Sequence, residues 1–257
     1  MVELKNILDA LEEFAPCSIK EEWDNVGLMV GSLSSKIKRV IVALDCTNSV
    51  INEAVNTGAD LIITHHPLIF HGLNSIEYDE NSGNKIKTLV KNDINVISMH
   101  TNLDKAKGGV NDVLCSKLEL VKVQNLTDDE LSLGRIGELE TPLTLKKFAG
   151  YVKEKLNAPY IKYTGCDEKL ISKVAVTSGS GSEFYNEAIK KGADVFVTSE
   201  VKHNIAIEVM DKDFAVIDAG HFETENVIAE KIKEFLKDKF DIDITVSESY
   251  VRVFKGV

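Results

Sequence analysis

The pattern of the whole chain is set by the stretch Gly58-Ala59-Asp60-Leu61-Ile62-Ile63-Thr64-His65-His66-Pro67. Its glycine is a natural helix stop, and the apolar run that follows predicts a short buried strand over residues 60–64. The strand runs directly into His65 and His66, where a turn frees both imidazoles from the alternation of side chains along a strand. Pro67 keeps His66 out of the α region and so partly defines that turn. The stretch therefore predicts a ligand site at the carboxyl end of a strand.

Strands and helices alternate on both sides of this stretch. Such alternation is typical of βαβ units and of a mainly parallel sheet. The single tryptophan, Trp23, lies in a turn before a short strand bounded by Gly27 and Gly31, and we interpret it as a core or interface anchor. The other elements predicted here are helices over Val2–Phe14, Asn48–Thr57 (with an Asn or Ser cap), Lys85–Asn92 and Val110–Leu118, and strands over Arg39–Leu44 and Ile94–Ser98.

Part of this pattern occurs twice. At a fixed offset of 134 residues (186 − 52), Asn52-Glu53-Ala54 corresponds to Asn186-Glu187-Ala188, and Gly58-Ala59-Asp60 corresponds to Gly192-Ala193-Asp194. The buried strand that begins near Arg39 likewise has a counterpart near Lys173, with the same β-branched character. Two unrelated βαβ units could share these residues by composition, but duplication explains the constant offset better. We therefore predict an α/β fold of two pseudo-symmetric βαβ-type halves with mixed, mainly parallel sheets and a metal site between them.

The regular alternation of strands and helices is interrupted in residues 121–170. Their sequence predicts a strand containing glycines over Leu131–Leu139, a helix over Thr144–Leu156 that Thr141-Pro142 opens, and a strand over Tyr160–Tyr163. The predicted organisation is a first α/β half over residues 1–120, a bridging segment over 121–170 and a second half over 171–257, packed together as one compact unit.

Composition narrows the class of protein. The chain has 257 residues, 44% hydrophobic and 28% charged, and its net charge is 30 − 41 = −11, which disfavours nucleic acid as a partner. No apolar run approaches membrane-spanning length, and the first residues lack the apolar core of a signal peptide. The four cysteines (Cys17, Cys46, Cys115 and Cys166) are scattered, as expected of reduced, mostly buried thiols. We expect a cytoplasmic protein with no membrane partner.

Candidate metal ligands recur at strand ends in both halves. Each half has a strand followed by a histidine and, four residues later, an acid: His100 with Asp104, and His221 with Glu225. Residues i and i+4 share one face of a helix, so each pair can meet one ion. At the position equivalent to the histidine pair, the second half has Ser199-Glu200. Each signal is weak alone, because such pairs are often structural, but together they predict a site for Zn, Fe, Mn, Ni, Co or Mg, with ligands enough for two ions.

Four segments in this order resemble the GTP cyclohydrolase 1 type 2 homologue family, whose members are dinuclear-metal proteins that form toroidal hexamers. The resemblance covers essentially the whole chain. It implies metal ligands at His65, His66, Asp104, His221 and Glu225, and a homohexamer. The segments are Glu22-Trp23-Asp24-Asn25-Val26-Gly27-Leu28, Thr64-His65-His66-Pro67, His100-Thr101-Asn102-Leu103-Asp104 and Gly220-His221-Phe222-Glu223-Thr224-Glu225.

Two functions from different classes fit these residues. The first is a metal-dependent hydrolase that acts on a nucleotide or a related small molecule, with His100, Glu200 and His203 as candidate acid–base residues. The second is a non-catalytic metal-binding or scaffold protein. No glycine-rich phosphate-binding motif is present, so the residues themselves do not identify the substrate.

Overall fold

The computed structural model describes residues 1–249 and 252–254, and these form two compact units. The first contains residues 1–106 and 228–249, and the second contains residues 107–227 and 252–254. The segment 121–170, predicted as a bridge, contributes strands and a helix to the second unit, while the end of the chain up to residue 249 returns to the first.

In chain order the elements are β1 (Val2–Glu3), α1 (Leu4–Phe14), β2 (Gly27–Val30), β3 (Lys36–Ile37), β4 (Arg39–Ala43), α2 (Asn48–Thr57), β5 (Leu61–Thr64), α3 (Asn81–Lys91), β6 (Asn95–Ser98), α4 (Thr101–Lys105), α5 (Val110–Lys117), β7 (Val121–Asn125), β8 (Arg135–Thr144), α6 (Leu145–Lys155), β9 (Lys162–Thr164), β10 (Leu170–Val176), α7 (Tyr185–Lys190), β11 (Val195–Thr198), α8 (His203–Asp211), β12 (Ala215–Asp218), α9 (His221–Glu225), α10 (Val227–Lys239) and β13 (Asp243–Val246).

The first unit is built on a sheet with strand order β13-β4-β5-β6-β2. The first four strands run parallel, and β2 pairs antiparallel with β6 at the edge. Strands β4, β5 and β6 are buried almost throughout, as their continuous apolar sequences predict for a sheet covered on both faces. Helix α2 packs against this sheet through Val50, Ile51 and Ala54.

The second unit has a mixed sheet with strand order β7-β8-β10-β11-β12-β9. Its three central strands, β10, β11 and β12, run parallel, whereas the flanking pairings are antiparallel. Phe148 on α6 fills the core on one side of these strands, and Phe196 on β11 lies in the other cluster; both side chains are fully buried.

The two units repeat the same βαβ arrangement, which confirms the predicted fold class. Gly58 and Gly192 both adopt the left-handed conformation (φ +66° and +72°) just after a helix, where glycine avoids steric strain. In the first unit, Asp60 Oδ2 accepts hydrogen bonds from Lys38 N and Arg39 N (2.7 and 2.9 Å). In the second, Asp194 Oδ2 accepts equivalent bonds from residues 172 and 173 (both 2.8 Å). The repeated Gly-Ala-Asp therefore ends a helix and joins two strands in each unit.

The predicted cap of one helix and the predicted start of one strand are wrong. Helix α2 is capped by Thr47, whose hydroxyl accepts from Val50 N (3.2 Å), and not by Asn48 or Ser49. The strand predicted from Leu131 begins only at Arg135, because Ser132 Oγ instead organises a turn with Thr127 N and the carbonyl of Gly134.

Thr141-Pro142 does not open a helix. Both residues lie in β8, where the pairing register with β10 shifts between Ile171 and Lys173. A proline lacks the amide hydrogen that a regular ladder needs, and an irregular segment of a strand tolerates it. Helix α6 begins three residues after Pro142, at Leu145, and Thr144 is its N-cap residue.

The cysteines are all free, but only Cys46 and Cys115 are fully buried; Cys17 is half-buried and Cys166 is exposed. Burial raises the pKa of the Cys46 and Cys115 thiols to about 12. In the part of the chain that the structure describes, no helix is both long and apolar enough to cross a membrane.

Candidate metal centre

The first unit gathers histidines at the carboxyl edge of its sheet. Strands β5 and β6 run parallel with Thr64 opposite Ser98, so the residues that follow both strands emerge at the same edge. His65, His66 and His100 meet there, and one potential ligand atom from each lies within 4.8 Å of the others. The convergence predicted for adjacent histidines after a strand therefore occurs, and a third ring joins them.

Each of these rings is oriented by a hydrogen bond at Nδ1. His65 Nδ1 donates to the carbonyl oxygen of Met99 (2.9 Å), which requires a proton on Nδ1 and leaves Nε2 as the coordinating nitrogen. His66 Nδ1 bonds Asp45 Oδ1 and His100 Nδ1 bonds Asp24 Oδ1, both at 2.8 Å. Metal-binding histidines characteristically have such carbonyl or carboxylate partners, which fix the tautomer and the ring orientation.

Asp104 brings a carboxylate to the same cluster. It lies on α4, and its amide donates to the carbonyl of His100 (3.1 Å), so the chain makes one helical turn between the two residues. Its Oδ1 is 3.7 Å from Nε2 of the fully buried His65. The predicted ligands His65, His66 and Asp104 are therefore grouped in the first unit, together with His100.

Asp24 fixes His100 from a buried position. Burial alone would raise the pKa of its carboxyl group, but hydrogen bonds from His100 and from Thr101, through both Oγ1 and the amide, outweigh burial and hold the pKa well below its usual range. The Asp24 carboxylate is therefore charged under physiological conditions and favours a proton on His100 Nδ1.

We expect Asp24→Asn to lower the free energy of unfolding by about 1 to 3 kcal/mol, because the amide group would face four hydrogen-bond donors that now bond a carboxylate. The folded-state pKa of Asp24 is depressed, so its contribution is complete above the unfolded pKa of about 3.9 and is lost as the pH falls through the lower folded value. Urea unfolding at several pH values should show the difference between wild type and variant shrinking in acid. A difference that stays constant down to strongly acidic pH would contradict this account.

The second unit holds an imidazole–carboxylate pair on α9. His221 begins this short helix and Glu225 ends it, and His221 Nε2 lies 2.8 Å from Glu225 Oε2. Glu200, which follows β11, accepts at Oε1 from His221 Nδ1 (2.8 Å) and so orients the ring as Asp24 and Asp45 orient theirs. Glu225 is only 4% exposed, so a carboxylate directed at an imidazole is buried here.

Gly179 makes room for Glu225. It adopts a left-handed conformation (φ +58°), and a Cβ atom at this position would overlap Glu225 Oε1. The amide of Gly179 also donates to Thr224 Oγ1 (3.0 Å), which ties the loop after β10 to α9. Glycine is therefore required both by the backbone and by the close approach of the carboxylate.

We expect Gly179→Ala to weaken metal binding by about 10- to 100-fold, because the methyl group must displace a proposed ligand. Gly192→Ala is the matched control: it has the same kind of backbone conformation (φ +72°) but no atom within 4 Å of the added Cβ. The control should lose stability through strain and keep its metal affinity, as measured by titration calorimetry. Equal losses of affinity in both variants would remove Gly179 from the site.

The remaining predicted residues have different surroundings. Glu200 contacts a candidate ligand and is best described as a residue that positions His221. His203 begins α8 and lines a cavity of about 270 Å³ whose described lining also includes Lys162, Tyr163 and Asp218. Within the first unit, His100 therefore lies among the ligand candidates. Within the second unit, Glu200 lies beside His221 and His203 lies at a cavity.

Sequence reasoning missed Asp45, and it gave Asp24 no role. Asp24 was visible as part of the segment around Trp23, and Asp45 follows a buried strand just as the histidines do. Nothing in a linear sequence, however, pairs a carboxylate with an imidazole 21 or 76 residues away.

The donor sets fit divalent metal ions. Both contain imidazole and carboxylate groups without thiolates, a combination that suits Zn, Fe, Mn, Ni, Co or Mg. Four imidazoles have a hydrogen-bond partner at Nδ1, which is the arrangement that prepares Nε2 for a metal.

Known proteins are similar to this chain in sequence. The model of the Duf34/NIF3 family (NGG1p interacting factor 3) matches residues 2–252. A protein of Clostridium acetobutylicum named GTP cyclohydrolase 1 type 2 homolog is 38% identical over 264 residues, with 99% of this chain and 98% of that protein covered.

Solved structures of other proteins have the same fold as this chain. The hypothetical protein SA1388 of Staphylococcus aureus superposes with a TM-score of 0.93 at 31% identity, covering 99% of each chain. A Bacillus cereus protein related to NIF3 superposes with a TM-score of 0.95 at 26% identity, covering 100% of this chain and 99% of that one. These matches confirm the resemblance found in the sequence, and the chain belongs to the Duf34/NIF3 family.

Proposed function

We propose that this chain binds a dinuclear divalent-metal centre and uses it as a hydrolase on a nucleotide or a related small molecule. The observation that carries the proposal is the orientation of the imidazoles, each by a carbonyl or carboxylate at Nδ1. The proposed ligands are His65, His66, Asp104, His221 and Glu225.

The buried carboxylates support a cationic occupant. Asp104 and Glu225 are 8% and 4% exposed, and each lies near the Nε2 atom of a histidine. Burying a carboxylate is costly unless a positive charge or hydrogen-bond donors compensate. These residues would hold a divalent ion whose charge compensates the carboxylates, and the histidines would coordinate it in their neutral form.

The chain's own residues would do the remaining work. When bound, divalent ions supply Lewis-acid chemistry and activate water near neutral pH. His100, held by Asp24, keeps one ring nitrogen directed at the cluster, where it can coordinate or move a proton. Glu200 holds the ring of His221 in place. His203, at its cavity with Lys162, is a proposed proton donor or acceptor for a bound substrate.

A metal-reconstitution screen tests the hydrolase. Protein stripped with a chelator and reloaded with a single divalent ion is assayed against nucleotides and phosphoesters, and turnover should require the ion. Glu225→Gln should lower both metal content and turnover, while Glu230→Gln, on the exposed side of α10, should change neither. Metal retained with no turnover of any substrate class would favour the non-catalytic alternative, and wild-type metal content in Glu225→Gln would remove Glu225 from the site.

A further inference from the structure

Two large aromatic side chains lie exposed beside the histidine cluster of the first unit. Trp23, predicted as a core or interface anchor, is 57% exposed, and Phe70 is 38% exposed. Their ring centroids are 5.8 Å apart. Both rings also contact His100, at centroid distances of 6.1 and 6.2 Å. The pair therefore lies at the rim of the candidate metal cluster.

Hydrogen bonds of the two residues that follow Trp23 hold this pair in place. The buried Asp24 binds His100 and Thr101, as described above. Asn25 Nδ2 donates to the carbonyl oxygen of Ile69 (2.6 Å), which connects the Trp23 turn to the segment that carries Phe70. An exposed tryptophan that is fixed in this way presents an apolar face at little entropic cost on binding.

We propose that Trp23 and Phe70 stack against a planar heteroaromatic ring of the small molecule that binds at the histidine cluster. The inference rests on the proposed function for the position of the ligand and adds the chemical class of its recognised part. Flat π-systems stack on aromatic side chains irrespective of their exact substituents. Because both rings contact His100, whose neighbours are His65 and His66 at centroid distances of 5.3 and 5.7 Å, a ring stacked here brings its polar substituents towards the cluster.

Tryptophan fluorescence measures this contact directly, because Trp23 is the single tryptophan of the chain. The probes are guanosine 5′-monophosphate and ribose 5-phosphate, which differ by the heteroaromatic base. Each is titrated into metal-loaded protein, with metal content measured on the same sample and absorbance corrected with a free tryptophan derivative. The nucleotide should change the Trp23 emission in a saturable manner, and ribose 5-phosphate should not.

Substitutions separate stacking from other effects. Phe70→Leu retains Trp23 as the probe and should weaken nucleotide binding about tenfold or more. Trp23→Leu, followed by equilibrium dialysis, should do the same. The matched control is Tyr78→Leu, which removes an exposed aromatic ring of the same unit that lies under Lys87 Nζ (4.7 Å) and should bind as wild type does.

The outcomes distinguish this inference from the proposed function. Protein that holds no metal but still shows saturable quenching by the nucleotide supports stacking and contradicts the metal centre. Metal-loaded protein that binds both probes equally, or neither, overturns the stacking. Emission that depends on protein concentration and not on nucleotide would show that a second copy covers the pair, which also overturns it.

Discussion

Replacing His65 with alanine should lower the affinity of the protein for divalent metal by more than about 100-fold. The side chain is fully buried, its Nδ1 is bonded to the carbonyl of Met99, and its Nε2 lies near Asp104. The rings of His66 and His100 are held in their own positions by Asp45 and Asp24, so neither ring can take over that nitrogen position. Titration calorimetry of chelator-stripped protein with a single divalent ion measures the effect.

The matched control is His71→Ala, which removes an exposed histidine outside the cluster and should leave the affinity unchanged. Circular dichroism and thermal melting in the presence of chelator show whether the His65→Ala variant is folded. A folded His65→Ala protein with wild-type affinity would exclude His65 as a ligand.

Replacing Phe196 with alanine should lower the free energy of unfolding by about 3 to 5 kcal/mol. Phe196 lies on the central strand β11, paired with Ala175 on one side and Val216 on the other, and its side chain is fully buried. The close-packed residues around Phe196 can relax only in part when the ring is removed. The variant therefore loses the transfer free energy of the ring and also bears the cost of the cavity that remains.

Denaturant unfolding measures this loss from the midpoint and slope of the transition. Phe254→Ala is the control, because it removes the same ring from a position that is 77% exposed, and it should change stability by less than about 0.5 kcal/mol. A loss below about 1 kcal/mol for Phe196→Ala would contradict the described packing of the second unit.

The repeated parts of the fold could be predicted because their signals are local. Buried strands such as β4 and β5 read as continuous apolar runs, and Gly58 and Gly192 mark helix ends by their unique conformational freedom. The fixed offset then assigned the same topology to both copies. The predicted bounds of α2, which ends just before Gly58, are correct to the residue.

Residues 121–170 were harder to predict because their partners are distant in sequence. Strand β8 is defined by its pairing with β10, including a register shift that accommodates Pro142, and no local pattern reveals such a shift. The same holds for Trp23. A large aromatic residue is normally buried, and only the structure shows that this one is exposed next to His100.

Within the candidate site, residue types were predictable and hydrogen-bond partners were not. Histidine–acid spacing of four residues identifies Asp104 and Glu225 from the sequence, since one helical turn brings such pairs together. The carboxylates that orient the rings come from the turn before β2 (Asp24) and from the segment after β4 (Asp45), and they are recognised only when the sheet is assembled.

The most direct test is the metal content of the wild-type chain, measured by elemental analysis after purification without added metal and again after reloading and desalting. We expect two divalent ions per chain after reloading, and we expect their release when the histidines protonate in acid. Wild-type protein that retains no divalent ion after reloading would contradict a metal centre built on these residues. So would a His65→Ala variant with the same metal content as the wild type.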